Sequence, residues 1–422
     1  MNATEQSTAL DGIRVLDLTR VLAGPWATQT LADLGACVTK VERPGTGDTS
    51  RLIGPYVEAD DAPMKRNSAF YLGCNRGKES ITVDIADPRG AELIRQLAQQ
   101  SDVFIENYKT GDLKRYGLDY DSIKQLNPSI VYCSITGFGQ DGPYAARPAY
   151  DSVLQAVGGL MSTCGFSDRP PTRTSVPIAD ILTGLYATIA VLAALMQRRQ
   201  TGMGQYIDCA MIDVTVAANA HLALGYLMTG QVPQRQGNDN PIASPSEIIE
   251  TSDGAYMLSV GTDSQFADLA RELGLPELAS DPRFTTNIQR VRNRAALIAI
   301  INGVTRRESS AYWQARFLAA NVPGGPINDM RQVFDDAHVA HRALAMRVPH
   351  ALGGEVPMLR SPLRLSASAV EHRAAPLLGE HTQAVLRERL SLDDEAIAAL
   401  AQAGVVSLAQ AGVVSPAQPG AV

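Results

Sequence analysis

From Ser175 to Arg199 the chain reads SVPIADILTGLYATIAVLAALMQRR, and Asp180 is its only charged side chain before Arg198. A run of this length and texture is a helix in almost any fold. Pro177 stands just ahead of it, where a proline suits a helix start because the N–H it lacks would have no partner. Asp180 then falls in or near the first turn, where the helix dipole favours an anion by roughly 0.3–1 kcal/mol. A helix apolar on every side is expected to be buried. A carboxylate carried inside on such a helix is costly unless something specific stabilises it. Two plainer readings stand beside this one. Asp180 serves as a capping or dipole residue in many such helices, and a span of roughly 20 apolar residues is long enough to cross a bilayer. The other long apolar run, Ile212 to Met228, carries Asp213 and His221 and lends little support to a membrane topology. A central helix of a large domain fits better.

Around this helix the first half of the chain alternates strand and helix patterns, the signature of a parallel α/β sheet. Strands are expected at Ile13–Leu18, Cys37–Glu42, Ser80–Asp84, Asp102–Glu106, Ser129–Thr136 and Gln205–Met211. Helices are expected from Pro25 to Leu34, Pro88 to Gln99 and Tyr150 to Met161, with Ile212–Met228 as a second strongly apolar helix. Residues 231–246 are rich in Pro, Gln, Asn and Gly without periodicity and read as a linker. A hairpin over Glu247–Val260, turning at Asp253-Gly254, and three helices near 265–273, 292–304 and 309–320 follow as a smaller α+β domain. The fold expected is α/β, with a large Rossmann-like parallel-sheet domain over 1–230, a small domain over 231–330 and a C-terminal return over 331–422. The octet LAQAGVVS occurs twice, at 400–407 and 408–415, and reads as a frayed duplication.

A length of 422 residues implies two or three domains, and a net charge of −7 argues against wholesale nucleic-acid binding. The five cysteines, Cys37, Cys74, Cys133, Cys164 and Cys209, are odd in number and dispersed, unlike a disulfide framework. The first residues, MNATEQSTALDG, lack the apolar core of a signal peptide. A cytoplasmic, reduced protein is expected. No metal site is expected, because His338 and His341 have no acidic or cysteine cluster of ligand spacing beside them. No GxSxG segment supports a serine hydrolase.

Gly137-Phe138-Gly139-Gln140-Asp141-Gly142 satisfies GxGxxG after a strand, but Pro143 follows, no apolar helix opens there, and Asp141 sits where a pyrophosphate would lie. A turn that lets backbone approach a neighbour or a ligand is the better reading. Arg20, Lys40, Arg43, Lys109, Lys114, Arg115 and Arg147 gather near strand ends. Ligands of open α/β sheets bind at the carboxyl ends of strands, so these cations suit a phosphorylated, nucleotide-like ligand.

With these residues in view, the chain resembles the class III coenzyme A transferases, the formyl-CoA transferase and carnitine CoA-transferase family. The likeness rests on ordered stretches: LDGIRVLDLTRVLAGPWATQTLADLGACVTKVERPGTGD, FIENYKTGDLKRYGLDY, SITGFGQDGPYAARPAYD, PIADILTG and APLLGEHT at 375–382. TRVLAGP, SITGFGQDGP and PLLGEHT are most similar to the succinate–hydroxymethylglutarate CoA-transferase branch. The resemblance implies a catalytic aspartate at Asp180. It implies CoA contacts at Leu22, Ala23, Arg43, Asn107, Tyr108 and Arg115, with a further contact near Arg147. It also implies two interlocked copies, an acyl-CoA and a carboxylic acid as substrates, and no prosthetic group. Two departures stand out. Residues 233–244 read PQRQGNDNPIAS, without the consecutive glycines of formyl-CoA transferases, and Ala86 stands where that branch has a lysine. The α-methylacyl-CoA racemases of the same superfamily need a histidine in a GHD segment, which here reads Ala149-Tyr150-Asp151. The expected chemistry is covalent: Asp180 carries CoA as an aspartyl thioester between two acids. Backbone N–H groups of the glycine loop, Gly137 and Gly139 included, are expected to face the substrate oxyanions. Arg235 in the linker is expected to bind the far carboxylate of a dicarboxylate.

Overall fold

The structure, a computed structural model, describes residues 7–56, 68–351 and 353–408. The second copy of the repeated octet lies almost wholly outside them. Two compact units divide the described chain. One comprises the residues up to Leu160, Thr174–Leu224 and those from Arg342 onward, and the other comprises Met161–Arg173 and Gly225–His341.

The first unit is built on six parallel strands: β1 (Arg14–Asp17), β2 (Cys37–Glu42), β3 (Glu79–Thr82), β4 (Val103–Glu106), β5 (Val131–Thr136) and β6 (Tyr206–Ala210). Their spatial order is β3-β2-β1-β4-β5-β6, so the winding reverses between β1 and β4. That reversal opens a crevice at the carboxyl ends of those two strands, where open α/β sheets bind ligands. Neighbouring residues on a strand face opposite sides, and here both sides are apolar because both are covered. Val15, Val38, Val103, Val131 and Cys133 pack under helices α1 (Ala23–Asp33) and α2 (Ile178–Thr201). Leu16, Val41, Ile81, Phe104 and Tyr132 form the other face, with Leu93, Ile94 and Leu97 of helix Pro88–Gln99. The C-terminal return covers the free edge of β3: His381 N donates to Ser80 O at 2.9 Å and Ser407 N to Thr82 Oγ1 at 2.8 Å. A paired edge is closed to further strands.

The second unit holds the expected hairpin, Ile248–Thr251 with Gly254–Leu258, extended by a third strand, Gly324–Pro326. Its core joins Tyr256, Phe266, Leu269, Leu297, Ile301, Trp313 and Phe317.

Three expectations change. The helix α2 is not buried all round: Ala179, Thr183, Ala187 and Val191 are buried at a spacing of four, while Tyr186, Ile189 and Met196 are 50–69% exposed. Its 24 residues meet the length and hydropathy of a membrane span, yet small side chains seat one face on α1. The run Ile212–Met228 is two helices, Met211–Ala218 and Ala220–Thr229, bent by 77°. The break lies at Asn219, whose Nδ2 donates to Gly158 O at 2.8 Å and Thr215 O at 3.0 Å and competes with the helix for backbone carbonyls. The helix expected over 150–161 is two short pieces, Asp151–Val157 and Leu160–Thr163, broken at Gly158 and Gly159.

Candidate active site

Asp180 lies in the first turn of α2. Its position is set by a close crossing of two helices. Gly184, one turn later on the same face, has no side chain, and a Cβ there would stand 2.6 Å from Ala23 O and 3.0 Å from Trp26 Cβ. The first turn of α2 is therefore brought against the amino end of α1, which follows β1 at the crevice. Thr188 repeats the contact a turn further on, with Oγ1 3.4 Å from Ala27 O.

Burial pushes the Asp180 carboxyl up to about 7, and the negative charge of Asp151 pushes in the same direction. Asp151 itself caps α2 from outside: its Oδ1 accepts the N–H of Ala179 at 2.8 Å and that of Asp180 at 3.3 Å. Gln155 Nε2 holds the other carboxylate oxygen at 2.6 Å. The plain capping role that the sequence left open for Asp180 thus belongs to Asp151. A carboxyl poised near neutrality is a reactive one, since half of it is ionised while its solvation is poor.

Of the residues expected to touch CoA, Leu22 and Ala23 follow β1 and Asn107 and Tyr108 follow β4, at the carboxyl ends that flank the crevice. Leu22 and Ala23 start α1 and are buried. The helix has no side-chain cap and no acid in its first turn. The Asn107 carboxamide pairs with the backbone of Arg20, at 2.9 Å to its N–H and 2.8 Å to its carbonyl, and bridges the two crevice walls. The Arg20 guanidinium stacks 4.4 Å from the Tyr108 ring centre. Arg43, Arg115 and Arg147 are exposed, and Arg147 lies 3.7 Å from the centre of the Tyr144 ring.

Other expectations meet different surroundings. Lys40 is no ligand-facing cation: it is fully buried and paired with Asp48 at 2.9 Å. The N–H groups of Gly139 and Gln140 already donate to Thr136 Oγ1 and Asp208 Oδ2, each at 3.0 Å, which takes two donors from the oxyanion role given to the glycine loop. Gly137 has a packing reason of its own, since a Cβ there would stand 2.1 Å from Ala149 Cβ. Arg235 donates to the carbonyls of Phe166 at 3.2 Å and Arg169 at 3.1 Å, so much of its guanidinium is engaged in holding that loop.

Among the buried acids that the sequence did not single out, Glu106 borders a cavity. Glu106 ends β4, and burial raises its carboxyl to about 7 against the pull of Ser134 and the Tyr108 N–H. It borders a cavity of about 300 Å³ that Lys109, Lys114, Tyr132 and Tyr206 also line. Nothing in FIENYK distinguishes this glutamate from a surface one; only its neighbours across the sheet do. Among the described residues no three acidic, histidine or cysteine groups are arranged to hold a metal ion.

Comparison with known proteins places this geometry in context. The sequence model of the family described as CoA-transferase family III matches residues 10–382. A human protein named succinyl-CoA:glutarate CoA-transferase is 43% identical over 397 residues, 94% of this chain and 89% of that protein. The succinate–glutarate CoA-transferase of Agrobacterium fabrum is 43% identical over 394 residues, 92% of this chain and 97% of that one. Among solved structures, a CAIB/BAIF family protein from Brucella suis matches with a TM-score of 0.84 and 44% identity, covering 91% of this chain and 100% of that one.

Proposed function

The chain belongs to CoA-transferase family III, and from that membership we propose that it moves CoA from succinyl-CoA to a dicarboxylic acid by way of Asp180. The observation that carries the reading is the placement of Asp180: a carboxyl raised to about 7, on the first turn of a helix packed through Gly184 against Ala23. The Asp180 carboxylate attacks the thioester carbonyl of the donor and expels CoA thiolate, giving a mixed anhydride. The thiolate attacks the aspartyl carbonyl, releases the donor acid and leaves aspartyl-CoA. The acceptor carboxylate then attacks that thioester, and the freed thiolate takes the acyl group from the second anhydride. No proton is gained or lost over the cycle. The apolar surround of the helix suits this chemistry because each intermediate is destroyed by water.

The acceptor is a dicarboxylate such as glutarate, by likeness to relatives named for that acid. Racemisation finds no support, since no histidine precedes residue 221 and the charged group acting on Asp180 is Asp151. Two copies of the chain assemble, as an interlocked homodimer. Tyr186, Ile189 and Met196 on α2 leave large apolar side chains 50–69% exposed in one copy, and patches of this kind mark protein interfaces. The cysteines are free thiols, in keeping with a cytoplasmic setting.

The test is Asp180→Ala with succinyl-CoA and glutarate. Turnover falls by more than about 10³-fold while CoA still binds, and hydroxylamine traps an enzyme thioester in the wild type alone. Substantial turnover by the variant would overturn the proposal.

A further inference from the structure

The turn between β1 and α1 is held almost entirely by side chains. The Thr19 N–H donates to Asp17 Oδ1 at 2.8 Å, and the Thr19 carbonyl accepts from Lys40 Nζ at 2.8 Å. Both backbone groups of Arg20 are taken by the Asn107 carboxamide. The Val21 N–H faces both carboxylate oxygens of Asp48 at 3.2 Å. Val21 has φ 69, a left-handed conformation that a β-branched residue avoids. Such strain persists only where the surroundings impose it.

The groups that impose it form one buried chain. Lys40 Nζ meets Asp48 Oδ2 at 2.9 Å, and neither side chain is exposed at all. The Asp48 N–H donates to Glu42 Oε2 at 2.9 Å, and Glu42 is gripped by Arg51 through two hydrogen bonds of 2.8 and 2.7 Å. Lys40 and Glu42 stand two apart on β2, so both rise from one face of the strand toward the turn. Burial opposes the charge on Asp48, yet the Lys40 ammonium and the Ser50 N–H together hold its carboxyl well below the usual range. The pair stays ionised and the clamp stays shut.

We infer that Lys40 and Asp48 are positioning residues for the CoA thioester: they fix the Thr19 carbonyl and the Val21 N–H so that the turn leading from β1 into α1 holds one conformation at the crevice. The inference rests on the functional reading above, which makes that turn part of the site. Displacement of a binding surface by about 1 Å is enough to cost large factors in rate.

A buried ion pair also serves stability, so the test separates the two roles. Exchanging both members of such a pair for apolar residues of similar volume is often neutral for stability. The double variant Lys40→Met/Asp48→Leu does this while deleting the bonds to Thr19 O and Val21 N. The variant loses some stability, because the Val21 and Ser50 N–H groups and the Thr19 carbonyl lose their partners, so its CoA affinity is read well below its thermal midpoint. Its Kd for free CoA, by calorimetry, is expected to rise about tenfold or more, and the KM for succinyl-CoA with it, while the KM for the acid acceptor shifts less than about twofold. A CoA Kd within about twofold of the wild type overturns the inference. If the double variant does not fold, Asp48→Asn is compared with Asp33→Asn, which breaks the buried pair with Arg76 (2.7 Å) at the far end of α1, about 15 Å away. Both variants lose stability, and only Asp48→Asn is expected to lose CoA affinity; equal affinities overturn the inference. Failure of the wild type to bind CoA would sink the functional reading instead.

Discussion

Asp180 and Asp151 form a unit in which one acid tunes the other. Asp180 is raised to about 7 first by burial and then by the charge of Asp151. As a nucleophile it must be ionised, so kcat/KM for the acyl-CoA is expected to rise with pH and level off above an inflection near 7. Asp151→Asn keeps an oxygen for the Ala179 N–H but deletes the charge. Its inflection is expected to move to lower pH, though not to the ordinary carboxyl value of 3.8, because burial remains; an unmoved or raised inflection would contradict the electrostatic account. The sign for stability is opposite. Between 3.8 and about 7 the folded state holds a proton that the unfolded chain releases. Stability from this group is therefore full at acid pH and falls as pH rises through that window. The midpoint of urea unfolding of Asp180→Asn is accordingly expected to gain on the wild type at pH 8 and not at pH 4.

At the level of elements, the crossing of α1 and α2 decides where the reactive carboxyl stands. Gly184 is the point of contact. Gly184→Ala improves helix propensity by about 1 kcal/mol, but the new methyl meets backbone, 2.6 Å from Ala23 O. Overpacking of this kind costs about 1–3 kcal/mol, so the clash outweighs the gain in propensity. A net loss of up to about 2 kcal/mol in urea unfolding is expected, with weaker CoA binding as the helices part. Stability equal to or above that of the wild type would mean that the crossing is looser than these distances. The bend at Asn219 is of the same kind: an element boundary set by one side chain reaching Gly158 O and Thr215 O.

For the whole molecule, the exposed flank of α2 is the feature that a single copy does not explain. Ile189 is 60% exposed in the middle of that flank. Ile189→Arg is expected to leave the fold intact, since most of the side chain stands outside its own chain's core, and, if the proposed dimer forms through this flank, to shift sedimentation from dimer to monomer. Loss of activity in parallel is expected if assembly completes the site. A variant that still sediments as a dimer would move the interface elsewhere.

Local order was legible in the residues. Strand Cys37–Glu42 and helix Pro88–Gln99 were expected at the bounds observed, because period, caps and glycine or proline punctuation act over a few residues. The placing of Asp180 in a first turn was legible for the same reason. Tertiary structure alone decided what met what. Lys40 reads as a cation at a strand end until Asp48 is folded over it, and Glu106 reads as a surface acid until β5 covers it. The apolar rod of α2 reads as buried until only one of its faces finds a partner in the chain. Hydrophobic period and turn chemistry are properties of neighbours in sequence, whereas burial, ion pairing and pKa depend on groups on other elements or across a loop, eight residues away for Lys40 and Asp48 and 28 for Glu106 and Ser134, which only the completed fold brings within bonding distance.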